Sequence, residues 1–231
     1  MEYIVEASKV PWTENPRPDR KGYFEKMLGD GLDGRPHAIF ARQPTGAVNE
    51  PHFHTERQFV VLLEGAMTFP KRPLTPIGVH YVDARTPYGP FIGGSGMVMA
   101  VLRHKPAPIT YMSEPEGHKR RNVHGREFFA QSELLQGGAK GPERKQLLGK
   151  EGEESPTALL WKYPAGSSIA RGPAPFARFS FILEGTAMLN GQTYGPQTLF
   201  FESGDGPFAS LRAGESGASW LTLTFDQGRD A

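Results

Sequence analysis

A chain of 231 residues can bury a substantial core, as one large domain or two small ones. Its 26 basic and 25 acidic residues nearly cancel, so nothing global points to nucleic acid or an anionic membrane, and the absence of cysteine excludes disulfide scaffolds, thiolate metal sites and cysteine nucleophiles. No apolar run approaches membrane-spanning length, and Met1-Glu2-Tyr3-Ile4-Val5-Glu6 lacks a basic region followed by an apolar one, so a cytoplasmic soluble protein is expected.

Glycine and proline together make roughly a fifth of the residues, and long helical patterns are scarce, which favours short strands joined by tight turns. The first informative run is Gly46, His52-Phe53-His54, Gln58 and Gly65. Two histidines one residue apart on an extended segment point to the same side, because side chains alternate along a strand. With a third polar group a short turn later, they form a candidate site for a first-row metal ion. Phe59-Val60-Val61-Leu62-Leu63 is a short apolar run closed by Glu64-Gly65, the pattern of a strand and tight turn. Met97 to Leu102 reads as another strand. His104 to Arg126 is rich in proline, glycine and charge, including His118-Lys119-Arg120-Arg121, and suits a surface linker; a helix over Glu127 to Leu135 would follow it. Later strands are expected at Phe179 to Leu183 and Trp220 to Phe225, with Asn190-Gly191 as a two-residue hairpin turn.

The chain repeats itself. At an offset of 120, Leu28-Gly29 falls on Leu148-Gly149, Pro44 and Gly46 fall on Pro164 and Gly166, and Leu63-Glu64-Gly65 falls on Leu183-Glu184-Gly185. Further on the offset drifts, with Gly89-Pro90-Phe91 meeting Gly206-Pro207-Phe208 and Ser95-Gly96 meeting Ser216-Gly217.

With that spacing and repetition the sequence resembles the cupins, small β jelly rolls, and specifically a bicupin of two RmlC-like barrels. The family's first motif, Gly, five residues, His-x-His, three or four residues, Glu, six residues, Gly, is matched at Gly46, His52, His54 and Gly65, with Gln58 in the usual glutamate position. Trp12, Lys26-Met27-Leu28-Gly29-Asp30 and Arg42-Gln43-Pro44-Thr45-Gly46 resemble ChrR-type cupins and acetyl-ketone-cleaving dioxygenases. The second motif keeps Pro87 and Gly89, but its histidine position falls on Ile92. In the second repeat the ligand positions read Gly172, Ala174, Arg178 and Ala209, so a metal is expected only in the first.

The resemblance implies an all-β double-stranded β-helix duplicated as a bicupin: residues 1–115 as the N-terminal barrel, 116–135 as linker and 136–231 as the C-terminal barrel. It implies one divalent metal (Fe, Mn, Ni or Zn) on His52, His54 and Gln58, with His80 or His104 as stand-ins for the ligand missing at Ile92. The expected function is a metal-dependent, dioxygenase-like enzyme acting on a small carbonyl or carboxylate compound. The alternatives are a cupin isomerase or lyase, or a non-catalytic small-molecule-binding or sensing bicupin in which Arg178 pairs with a ligand carboxylate. Glu56 is a candidate acid or base at the mouth, and equally a solvated turn charge. Exposed strand edges and the family's habit imply a homodimer, with neither nucleic acid nor membrane as partner.

Overall fold

The structure, a computed structural model, describes residues 2–33, 35–70, 72–136, 141–150, 155–169, 174–204 and 210–226. The chain divides into two compact units, Val10–Glu133 (the first) and Met1–Lys9 with Leu134–Asp230 (the second). In chain order β1 (Glu2–Glu6) is followed by β2 (Thr13–Glu14), β3 (Phe24–Asp30), β4 (His37–Arg42), β5 (Val48–Asn49), β6 (His52–His54), β7 (Gln58–Glu64), β8 (Met67–Phe69), β9 (Arg72–Leu74), β10 (Gly78–Val82), β11 (Phe91–Gly93), β12 (Val98–Arg103), β13 (Ile109–Tyr111), helix α1 (Pro115–Arg120) and β14 (Glu127–Gln131). Then come β15 (Glu143–Leu148), β16 (Thr157–Tyr163), β17 (Ala174–Leu189), β18 (Gln192–Tyr194), β19 (Thr198–Gly204) and β20 (Arg212–Thr224). The architecture is all-β, and among the described residues no helix is long and apolar enough to cross a membrane.

The first unit sets a seven-stranded sheet, β14-β10-β7-β12-β4-β3-β2, with a four-stranded sheet, β5-β11-β8-β9, and the pair β13-β6. Val60, Leu62, Met99 and Val101 from the large sheet share a core with Met67, Phe69, Leu74 and Phe91 of the smaller one. The opposite face of the same strands, with Phe59, Val61, Ala100 and Leu102, is also buried. Burial on both faces is why β7 reads as a continuous apolar run and not an alternation. After β7 the chain reverses at Gly65, whose φ is +73° and where a Cβ would lie 2.4 Å from the Ser95 carbonyl oxygen. Only glycine meets both conditions without strain.

The second unit is one seven-stranded sheet, β1-β19-β17-β20-β16-β15 with β18 on β17. Its interior packs Tyr163, Ile182, Leu189, Tyr194, Phe200 and Trp220. Asn190 and Gly191, both at positive φ, turn β17 into β18 as their dipeptide leads one to expect.

Three boundaries differ from those drawn on the sequence. The first five-residue strand belongs to the second unit, where β1 pairs antiparallel with β19 (Tyr3 opposite Phe201, Ile4 opposite Phe200) and covers an otherwise open edge. The expected helix at 127–135 is instead strand β14, hydrogen-bonded to β10 in the first unit, with Phe129 opposite His80. The span 116–135 therefore supplies ordered structure and not merely a tether: besides β14 it holds most of α1, where Lys119 and Arg120 pair with Glu116.

Candidate functional site

The sequence pattern of β6 and β7 brings its three polar residues together. His52 and His54 flank Phe53 on the short strand β6, and their rings meet edge to face with centroids 5.3 Å apart. Gln58 opens β7, and all three side chains are buried and line one cavity of about 170 Å³ in the first unit. Three more residues complete the constellation: Tyr88, Arg103 at the end of β12, and Arg20.

Every polar atom of the three has a partner. His52 Nδ1 lies 2.6 Å from the Glu50 carbonyl, to which it donates, and its Nε2 accepts from the Tyr88 hydroxyl at 2.8 Å. Tyr88 in turn accepts from the Gln58 amide nitrogen at 2.9 Å. His54 Nδ1 donates to the Pro108 carbonyl at 3.0 Å, leaving Nε2 to accept from an Arg103 Nη at 2.9 Å. The same Nη donates to the Gln58 side-chain oxygen. Both imidazoles are thus held as the Nδ1–H tautomer and kept neutral. Burial, opposed by the Glu50 carbonyl and reinforced by the charges of Arg103 and Arg20, brings His52 down to about 4. Burial, then Arg103 and His52, brings His54 to about 2. Burial pushes Tyr88 up to about 12, so it remains a phenol.

Arg103 is the unusual member. It is only 6% exposed, its Nε–H has no acceptor, and the side chains it bonds, His54 and Gln58, are neutral. Among the described residues no carboxylate forms an ion pair with it; Glu56 reaches it only through its field, and burial lowers its pKa. A buried guanidinium without a counter-charge is costly. The rest of the rim adds cations: Arg17, Arg20 and Arg42 line the cavity, where the carboxylate among the described residues is Glu25, which accepts a hydrogen bond from Asn15. Arg20 bonds Asn49 at 3.1 Å and the Tyr111 hydroxyl at 2.9 Å.

No protein-family model matches the sequence, and comparison with curated proteins finds no relative. Solved structures do resemble it. A candidate dioxygenase from Nostoc punctiforme superposes with a TM-score of 0.73 at 13% identity, over 100% of this chain and 85% of that one. The bacterial pirin YhhW from Escherichia coli, in complex with nickel(II), gives 0.63 at 10% identity over 98% and 99%. A variant of oxalate decarboxylase from Bacillus subtilis gives 0.61 at 11% over 97% and 77%. All three are cupin-superfamily proteins. The chain has the cupin fold. At such identities the likeness carries the fold and leaves the chemistry to the residues.

Metals are named for two of these cupin neighbours, nickel(II) for the pirin and Mn(II) for oxalate decarboxylase. The residues of this cupin fold do not suit a dication in the arrangement they adopt. The lone pairs of His52 Nε2 and His54 Nε2, and one of the two on Gln58 Oε1, are engaged by hydrogens of Tyr88 and Arg103. A dication 4 Å from a permanent guanidinium charge would be repelled by roughly 8 kcal/mol at an effective dielectric of 20. Among the described residues no group of three His, Cys, Asp or Glu side chains gathers into a cation site.

The other sequence candidates separate. His80 and His104 do not line the cavity. His80 is fully buried, stacked on Phe129, with Nε2 2.9 Å from Glu127. Ile92 is exposed on β11, while its neighbour Phe91 turns inward and stacks parallel to Tyr88. In the second unit Arg178 lies against Glu202, Nε to carboxylate 2.7 Å, so a carboxylate of the same unit meets its charge. Gly172 and Ala209 lie outside the described residues, as does the side chain of Ala174. Sequence reasoning missed Arg103, Tyr88 and Arg20. The signal for Arg103 was present: it stands in the same alternation phase as Met99 and Val101, an arginine in the inward register of an apolar strand.

Proposed function

We propose that the first unit is a cupin-fold binding site for a small carboxylate compound, anchored by Arg103 and independent of a metal ion. The observation that carries this reading is a buried guanidinium with neutral partners and, among the described residues, no paired carboxylate, opening on a cavity that further arginines line. A carboxylate supplies what that guanidinium lacks: opposite charge and acceptors in planar geometry, in a setting where charge-assisted hydrogen bonds are strong. The neutral imidazoles and the Tyr88 phenol orient Arg103 and Gln58, an arrangement suited to holding an anion.

The test is a thermal-shift and calorimetric screen of small carboxylic acids on chelator-treated protein, beside Arg103→Met. Binding raises the melting temperature of wild type with ligand concentration and leaves Arg103→Met unmoved. Equal stabilisation of both proteins, or of neither, overturns the reading.

A second reading, a metal-dependent dioxygenase-like enzyme, is favoured by the fold of the candidate dioxygenase and by two neutral imidazoles on one cavity. It requires Arg103 to withdraw from His54 and Gln58. Metal analysis of protein purified without chelator separates the two: about one ion per chain supports the enzyme, and less than about a tenth, with no rise on reconstitution by Fe, Mn, Ni or Zn, ends it.

A further inference from the structure

The cavity has two unlike walls. One is polar, built from Asn49, His52 and His54, with Arg20 tied to Asn49 and Tyr111. The other is apolar. Ile39 and Ala41 of β4, Val60 of β7, and Met99 and Val101 of β12 all line the cavity, and the register makes them contiguous: Val101 lies opposite both Ile39 and Val60, and Met99 opposite Ala41. Arg103 is two residues beyond Val101 on the same strand, and Gln58 two residues before Val60, so the cationic anchor stands at one end of the apolar wall.

From this juxtaposition we infer that the compound is an amphipathic monocarboxylic acid, with its carboxylate on Arg103 and a short aliphatic or aromatic body along Val101, Val60, Ile39, Met99 and Ala41. The inference rests on the carboxylate-binding reading above and adds the ligand's class. Two-residue steps along a strand advance about 6.7 Å, so the rows of Val101 and Met99 extend about 13 Å from Arg103. The volume, about 170 Å³, slightly exceeds the ~150 Å³ that admits benzene, which limits the body to about five or six carbons. A dicarboxylate laid along this wall fits less well, because its second charge would lie against five apolar side chains.

The experiment is isothermal calorimetry on the full chain with acetate, propionate, butyrate, pentanoate, hexanoate and benzoate, against succinate and glutarate. The dissociation constant falls about fourfold per added methylene until the cavity is full, then rises. Ala41→Leu shifts the best chain length shorter and Ile39→Ala shifts it longer, each variant first confirmed folded by circular dichroism. Affinities that do not change with chain length, or dicarboxylates that outbind monoacids of equal length, overturn this inference and leave carboxylate binding standing. Absence of binding by every acid overturns both.

Discussion

Each unit holds an arginine among its central strands, Arg103 buried in the first and Arg178 half-buried in the second, and the two differ in what meets the charge. Leu62 faces Met99 across β7 and β12 as Ile182 faces Trp220 across β17 and β20. Counting back four residues on each strand puts Gln58 in the position of Arg178. Opposite Gln58 on the adjacent strand is Val82; opposite Arg178 is Glu202. The second unit therefore carries its own counter-charge, and its interior is filled by Trp220 against Phe200 where the first has Met99 and His80. The first unit takes its cation from the end of β12, gives it no carboxylate among the described residues, and keeps a cavity beside it. A neighbouring-strand carboxylate and one large aromatic are what the described residues of the second unit have and those of the first unit lack.

The largest effect should come from breaking the neutralised pair. Arg178→Met leaves Glu202, 2% exposed, without its guanidinium, and removing one member of a buried pair costs about 3–5 kcal/mol. Urea unfolding should show that loss, and Arg178→Met with Glu202→Leu should recover most of it. A loss under about 1 kcal/mol would show that the pair is no strut.

Acid should then separate the units, because all seven histidines lie between residues 37 and 124. Burial, then Arg103, depresses His37 to about 4 against the pull of Asp30, and burial depresses His80 against Glu127. A histidine whose folded pKa lies below its unfolded value stabilises fully above pH 6.5, and the contribution is lost as pH falls from there toward the folded pKa. After allowance for solvent screening His37 alone accounts for about 2 kcal/mol between pH 6.5 and 4. Hydrogen exchange read by mass spectrometry across that window should show β4, β7, β10 and β12 losing protection before β16, β17 and β20. Simultaneous loss in both units would refute it.

How much of this was legible in the sequence depends on how local the cause was. The strands, the turns at Gly65 and Asn190-Gly191, and the convergence of His52, His54 and Gln58 follow from periodicity and spacing within a few residues. The segment Glu127-Phe128-Phe129-Ala130-Gln131 carries residues that suit a helix, and only the free edge of β10 makes it a strand. The exchange of β1 into the second unit likewise depends on an edge between 192 and 200 residues away. Arg103 was hidden for a similar reason: its phase on β12 could be read, but its approach to His54 and Gln58 depends on the closing of the barrel.

Corresponding glycines provide a control of smaller size. Gly65 and Gly185 share a φ of +73°, and a Cβ would fall 2.4 Å from the Ser95 carbonyl oxygen in one and 2.1 Å from that of Gly217 in the other. Alanine at either should cost about 2 kcal/mol in thermal unfolding, nearly alike in both. A cost confined to one would mean that the two turns bear different loads.

The smallest expected change is the most discriminating. Arg103→Met removes a buried cation that lacks a counter-ion, which relieves desolvation, and it deprives His54 Nε2 and Gln58 Oε1 of one donor each. These effects oppose one another, so without ligand the variant should unfold within about 1 kcal/mol of wild type while losing the response to carboxylates. Arg178→Met should do the reverse, losing several kcal/mol while keeping the response. If Arg103→Met instead unfolds as easily as Arg178→Met, the first arginine is as structural as the second, and its buried charge is no longer a reason to look for an anion.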